Sequence, residues 1–393
     1  MFKKDFPIFK KTDMVYLDTA ASAQKPAAVL RAMDRFYKTA YSNVHRGQCA
    51  WAAAATKAYE AARQNVADFI HADAANIVFT RGATDAVNLV AAGMAQTLKP
   101  GDEVLISIAE HHANFVPWQQ ACLKSGATFQ VANILPSGEL DRADFARKLT
   151  PRTKVVAITH LSNVLGVLND AAALTRSAHA VGARILIDAA QSIAHVPLDV
   201  REIGCDFLVF SGHKLYGPTG VGVLYGPADA LANLPPYQFG GDMIRQVAVS
   251  ETTFADAPAK FEAGTPMIAE AVGLGAAVGY LNRIGWDKIR RHEEELMEYA
   301  LAELAKIPEV RLMGTAEKQS VIAFTLDGIA AEDIGFVLGK KNICVRVGHH
   351  CAMPLHAHFG RAASARISFG LYNDAADIDR FIAALREGMR FFK

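Results

Sequence analysis

The chain has 393 residues, 51% of them hydrophobic and 21% charged, with a formal net charge of +1. It is long enough to bury a large core, and its near-neutral balance gives no bulk attraction to nucleic acid or an anionic membrane. The five cysteines (Cys49, Cys122, Cys205, Cys344 and Cys351) are odd in number, irregularly spaced and without a CxxC pair, which argues against a disulfide framework or zinc ribbon and for a reduced, cytoplasmic setting.

The start, Met1-Phe2-Lys3-Lys4-Asp5, has no apolar run behind its lysines and does not read as a secretory signal. From about residue 76, apolar strands are predicted at 77–79, 103–106, 128–131, 155–158 and 184–187, separated by helix-like segments such as 85–98, 117–125 and 170–181. This alternation predicts an α/β fold with a mostly parallel sheet covered by helices on both faces. The run 206–210 reads as another buried strand, and after a turn-rich stretch 221–225 reads as a further one. The apolar stretch 267–281 contains Glu270 and several glycines and is too short to span a bilayer, so it reads as a packed core helix. Beyond it come a long helix at 286–305, strands at 320–326, 343–347 and 365–369, and a closing helix at 375–391, a mixture that suits a smaller C-terminal domain.

Lys214 stands in Ser211-Gly212-His213-Lys214, directly after the buried run 206–210. A desolvated lysine has a lowered pKa, and its neutral amine can form a Schiff base with an aldehyde. Ligands of open α/β sheets bind beyond the carboxyl ends of the strands. Asp188 closes one such strand, where its carboxylate either caps the following turn or holds a ring nitrogen protonated. Arg81-Gly82-Ala83-Thr84-Asp85 opens a helix after a strand, a strand–turn–helix whose free N–H groups and threonine hydroxyl can seat a phosphate. Glu110-His111-His112-Ala113-Asn114 also follows a strand, and an imidazole there could stack on a flat ring.

In this order, Gly82-Ala83-Thr84, Glu110 to Asn114, His160-Leu161-Ser162-Asn163-Val164-Leu165-Gly166, Asp188-Ala189-Ala190-Gln191 and Ser211 to Lys214 resemble the class V aminotransferase-fold enzymes. Arg346-Val347-Gly348-His349-His350-Cys351-Ala352-Met353-Pro354 narrows the resemblance to cysteine desulfurases of the SufS type (group II). The resemblance runs from Tyr16-Leu17-Asp18 to the final helix. It implies a homodimer of fold type I that uses pyridoxal 5'-phosphate, with a large domain built on a mostly parallel seven-stranded sheet (20–266) and a smaller α/β domain (1–19 and 267–393) carrying Cys351.

The resemblance also implies roles for single residues. Lys214 would bind the cofactor aldehyde, Asp188 would pair with the pyridinium nitrogen, and Gln191 and Asn163 would lie near the ring hydroxyl. His111 would stack on the ring, and Thr84, Ser211 and His213 would hold the phosphate. Thr265 would reach the phosphate of the neighbouring subunit, and Arg366 would grip the substrate carboxylate, a task suited to a planar bidentate donor. Two positions depart from the family's habit: the phosphate turn reads Gly-Ala-Thr-Asp, and Asn169-Asp170 stands where a proline is common.

Desulfuration needs a nucleophile for the substrate sulfur, and Cys351 in its polar turn is the expected one. A thiol attacks as its thiolate; His349, His350 and Arg346 are close in sequence, and the sequence leaves open which of them assists. His349, His350, Cys351, His356 and His358 raise the thought of zinc, but adjacent His-His-Cys residues cannot easily face one ion, so no metal is expected. The predicted activity converts L-cysteine to L-alanine and a persulfide on Cys351, for transfer to an acceptor protein in iron–sulfur cluster assembly. Selenocysteine lyase or cysteine sulfinate desulfinase activity is the alternative, with L-selenocysteine as another substrate.

Overall fold

Seven strands form the central sheet of the computed structural model, which describes residues 2–392. They are β2 (Ile77–Thr80), β3 (Glu103–Ser107), β4 (Thr128–Ala132), β5 (Thr153–Thr159), β6 (Arg184–Asp188), β7 (Phe207–Ser211) and β8 (Gly222–Tyr225), in the order β2-β8-β7-β6-β5-β3-β4. Strand β8 runs antiparallel to both of its neighbours, and the remaining pairings are parallel. Successive side chains point to opposite faces, so Ile185, Ile187, Leu208 and Phe210 enter one core while Leu186, Phe207 and Val209 enter the other. Burial on both faces explains why these strands read as continuous apolar runs.

Helices α1 (Ala27–Thr39), α2 (Ala50–Phe69), α3 (Ala83–Ala95), α4 (His112–Ser125), α5 (Arg142–Lys148), α6 (Ala171–Ala180), α7 (Val200–Ile203) and α8 (Ala228–Asn233) belong to this part of the chain. The first core packs α2 and α6 against the sheet, and the second packs α3, α4 and α8. At the lysine end of the sheet the chain approaches itself closely: a Cβ at Gly222 would lie 2.4 Å from the Cα of Gly82, so β8 can pass the turn before α3 only with glycine there.

A four-stranded sheet, β11 (Val310–Leu312), β12 (Val321–Leu326), β15 (Ser364–Ser368) and β14 (Arg346–Gly348), forms the smaller layer with α10 (Trp286–Ala305), α11 (Ala331–Lys340) and α13 (Ala375–Met389). Strand β1 (Val15–Tyr16) pairs in parallel with β13 (Ile343–Cys344), and β9 (Ile244–Val247) with β10 (Thr252–Phe254) makes an exposed hairpin. The remaining helices are α9 (Ile268–Ile284) and α12 (Met353–His358). Among the described residues no helix is long and apolar enough to cross a membrane.

Ile268, Ala271, Leu274, Val278 and Leu281 of α9 are buried in the large sheet's core, and Gly275 lets α9 touch the Ala62 backbone of α2. Of the N-terminal residues, Phe6 lies in that same core and Val15 and Leu17 in the small one. Two expectations need correction. The helix expected at 117–125 begins at His112, capped by His111, because Pro117 in its second turn removes one ladder donor without breaking the helix. The strand expected at 343–347 is two strands: β13 pairs with β1 and β14 with β15.

Candidate active site

Beyond the carboxyl ends of β5, β6 and β7 lies a cleft of about 510 Å³ lined from both sheets, a size usual for small-molecule sites. Lys214 enters it from a short 3₁₀ turn (Gly212–Lys214) that β7 feeds directly. That turn is closed by Gly212 N–H to the Val221 carbonyl (2.9 Å) and Leu215 N–H to the Gly212 carbonyl (3.0 Å). Burial, helped by the positive charge of Arg366 and opposed by Asp188, holds the Lys214 amine below its ordinary range. The amine makes no hydrogen bond to any described residue, so its lone pair is free for an aldehyde.

Asp188 is buried at the end of β6, and burial pushes its carboxyl upward against the pull of Lys214 and of the Ala190 N–H. Its Oδ1 accepts from Ala190 N–H at 2.9 Å, a turn contact two residues on and not a helix cap, because the short helix that follows (Ser192–Ala194) has Gln191 at its N-cap. The same carboxylate also lines the cleft. His111 caps α4 through Nδ1, accepting from Ala113 N–H at 3.0 Å, and burial together with Lys214 pushes it down to about 3, leaving a neutral ring on the cleft wall. Behind it, buried Glu110 accepts from Ser107 Oγ (2.6 Å) and Asn114 Nδ2 (2.7 Å), and burial raises it to about 8.

Thr84, Ser211 and His213 line the cleft, with Ser211 reaching the start of α3. Ser211 Oγ accepts from Ala83 N–H at 2.8 Å, and His213 Nδ1 lies 3.3 Å from Ser22 Oγ, its ring held down to about 4 by burial and then by Lys214. Gln191 and Asn163 are also in the wall. Gln191 donates to the Ala20 carbonyl at 2.8 Å and Asn163 to the His350 carbonyl at 2.7 Å, which ties the large layer to the Cys351 loop.

Cys351 is exposed in the turn between β14 and α12. His350 and Cys351 are consecutive non-glycine residues with positive φ, 51° and 56°, a strained arrangement that persists only where surrounding contacts impose it. His112 supplies two such contacts: its N–H donates to the Cys351 carbonyl at 2.6 Å, and its Nε2 accepts from Met353 N–H at 3.0 Å.

Arg366, on β15, is 2% exposed. It donates to the Asn163 carbonyl (3.1 Å) and to Asp18 (3.1 Å), while its Nε has no partner among the described residues. Asp18 also takes Arg346 at 2.9 Å and so holds two arginines from neighbouring strands.

Of the eleven residues singled out from the sequence, Thr265 alone lies outside the cleft, on an exposed turn before α9. That turn is anchored by Glu262, which accepts from Arg63 (2.7 and 2.9 Å), Phe79 N–H (2.7 Å) and Tyr59 (3.0 Å). Sequence reading missed Asp18 and the loop-holding part of His112; Asp18 carried a signal, a carboxylate directly after the apolar Val15–Leu17 run. Among the described residues no group of three or more metal-ligating side chains converges. Of the histidines in the Cys351 region, His350 bonds to Ser364, and His356 to Ser364 and the Ala352 carbonyl.

Fold and site together define an α/β protein with a lysine-centred cofactor cleft and a thiol at its edge. The chain belongs to the class-V aminotransferase family, which it matches over residues 15–381. It is 48% identical over 390 residues to the cysteine desulfurase of Dickeya dadantii, covering 98% of this chain and 95% of that one. Its structure resembles the cysteine desulfurase CsdA of Escherichia coli with a TM-score of 0.94 at 38% identity, covering 100% of this chain and 98% of that one. The apo cysteine desulfurase of Thermococcus onnurineus gives a TM-score of 0.95 at 35% identity, over 99% and 97% of the two chains.

Proposed function

We propose that this chain is a pyridoxal-phosphate-dependent L-cysteine desulfurase that leaves a persulfide on Cys351 and releases L-alanine. The observation that carries the reading is the meeting, in one cleft, of a half-buried lysine whose amine makes no hydrogen bond to a described residue, a buried carboxylate and an exposed cysteine on a strained turn. The lining residues fit the cofactor: Lys214 offers a free amine to its aldehyde and Asp188 a carboxylate to its ring nitrogen. Neutral His111 would offer a flat face to the ring, Gln191 and Asn163 would hydrogen-bond its hydroxyl, and Thr84 at the helix start, with Ser211 and His213, would hold the phosphate. When bound, pyridoxal phosphate holds the substrate amine and accepts electrons from its Cα.

The protein's own groups do the rest. Arg366, held flat by Asp18 and Asn163, binds the substrate carboxylate and fixes which bond at Cα faces Lys214. Lys214, whose amine burial makes easier to deprotonate, takes the Cα proton and returns it to the product. The Cys351 thiolate attacks the substrate sulfur: an S–S bond forms, the substrate C–S bond breaks, and its electron pair stays with carbon, which is reprotonated to give alanine.

The second half of the proposal concerns partners. The turn carrying Thr265 is anchored through Glu262, exposed and outside its own cleft, which supports a homodimer in which Thr265 completes the neighbouring phosphate site. The exposed Cys351 turn suits transfer of sulfur to an acceptor protein, for iron–sulfur cluster assembly, in the reducing cytoplasm to which free thiols are suited. Alanine release from L-cysteine by the loaded protein tests the activity; no release with bound cofactor would refute it.

A further inference from the structure

Behind the Cys351 turn runs a chain of hydrogen bonds that the chemistry above does not use. His356 on α12 is fully buried, with Nδ1 3.0 Å from the Ala352 carbonyl and Nε2 2.9 Å from Ser364 Oγ. Ser364 Oγ in turn lies 2.9 Å from His350 Nε2. A carbonyl can only accept, so His356 Nδ1 carries the proton. Burial holds this ring below its ordinary 6.5, so it is neutral and its Nε2 is bare. Ser364 has one hydroxyl proton and must give it to that nitrogen, which leaves its lone pairs to accept from His350 Nε2–H. Burial, and after it the charge of Arg366, pushes His350 down to about 2, so this ring is neutral as well. Its remaining nitrogen, Nδ1, is a bare acceptor, buried and without a partner among the described residues.

We propose that the His356–Ser364–His350 relay is the positioning device of the Cys351 thiol, fixing one tautomer and one orientation of the ring that precedes it. This rests on the reading of Cys351 as the nucleophile. The relay joins the three elements around the turn: α12 through His356, β15 through Ser364 and the turn itself through His350. Ser364 also pairs through its strand backbone with Gly348, the last residue of β14, so both ends of the turn are referred to one residue. Without the relay, the His350 ring loses its donor contact and the left-handed pair His350–Cys351 keeps only the fastenings that His112 and Asn163 supply. His350, Ser364 and His356 act through the placement of Cys351 and are positioning residues.

The test uses the cofactor-loaded protein with His356→Leu, Ser364→Ala and His356→Gln. Gln retains an amide donor for Ala352 and an acceptor for Ser364. Single-turnover formation of alanine from L-cysteine should slow by about ten- to a hundredfold in His356→Leu and Ser364→Ala, the scale of a small misplacement of a reacting atom. Binding of L-alanine, read from the cofactor absorbance, should shift by less than about twofold, because Lys214 and Arg366 are untouched. His356→Gln should recover most of the rate. Wild-type rates in both disruptive variants, or a parallel loss of L-alanine binding and rate, would overturn the relay. Should His356→Leu not fold, a slow Ser364→Ala beside a fast His356→Gln supports it, and an unchanged Ser364→Ala sinks it. Cys351→Ser separates the two claims: full activity there removes the nucleophile reading itself, whereas a dead Cys351→Ser beside fast relay variants removes the relay alone.

Discussion

Lys214 and Cys351 share one cleft but arrive from different sheets, the lysine from the end of β7 and the cysteine from the turn after β14. The division of work follows from their surroundings: burial lowers the pKa of Lys214, while Cys351 is exposed on a left-handed turn. Replacing Cys351 with serine should lower alanine formation by at least about a thousandfold, the order seen when a nucleophile is removed, while the amino acid still alters the cofactor spectrum. Arg366→Lys should raise KM for L-cysteine by about ten- to a hundredfold with a smaller change in kcat, since a lysine cannot keep both the Asp18 and Asn163 contacts and still present a planar fork; steady-state kinetics of the two variants checks both. Lys214, Asp188 and Cys351 were legible in the sequence because each breaks a local pattern: a charge at the end of an apolar run, or a thiol in a polar turn. The loop-holding contacts of His112 were not legible, because they depend on a partner about 240 residues away, Met353.

At the scale of elements, the strands of the large sheet could be read from continuous apolar runs because helices bury both their faces. Helix α9 was recognisable as a core helix, but its allegiance was not: an apolar helix buried on all sides carries no stripe that names its neighbours. The answer lies in Gly275 meeting Ala62 of α2, a contact between distant stretches of chain. The approach to α9 depends on the pair Arg63–Glu262, whose side chains are 3% and 8% exposed. Glu262→Ala would take two hydrogen bonds from the buried Arg63 guanidinium, which keeps Glu60 and the Ile77 carbonyl, and would leave the Phe79 N–H without its acceptor. We expect a loss of about 2–4 kcal/mol in urea unfolding, below that of a buried charge left with no partner. A loss below about 1 kcal/mol, the range of exposed pairs, would mean that this anchor is dispensable.

For the whole molecule, the cleft and its surroundings keep several histidines neutral: burial lowers His111 to about 3 and His160 and His213 to about 4, from an ordinary 6.5. Below that ordinary value the unfolded chain binds protons that the native chain refuses, so the stability these rings supply is present above pH 6.5 and is lost as pH falls toward about 4. Glu110, raised to about 8 by burial, works the other way, its contribution complete below its ordinary 4.5 and declining as pH rises to about 8. Several histidines outweigh the two raised carboxyls, Glu110 and Asp188, so urea midpoints should fall between about pH 6.5 and about pH 4.5, with a shallower fall in His213→Gln. The central claim, that Lys214 and Cys351 cooperate in cleaving a carbon–sulfur bond, has one most direct test. Cofactor-loaded protein is mixed with L-cysteine, alanine is quantified, and the Cys351 peptide is weighed by mass spectrometry. The account predicts alanine together with the gain of one sulfur atom on Cys351 and on no other cysteine; alanine release with Cys351 unmodified, or sulfur on another of the thiols, would contradict it.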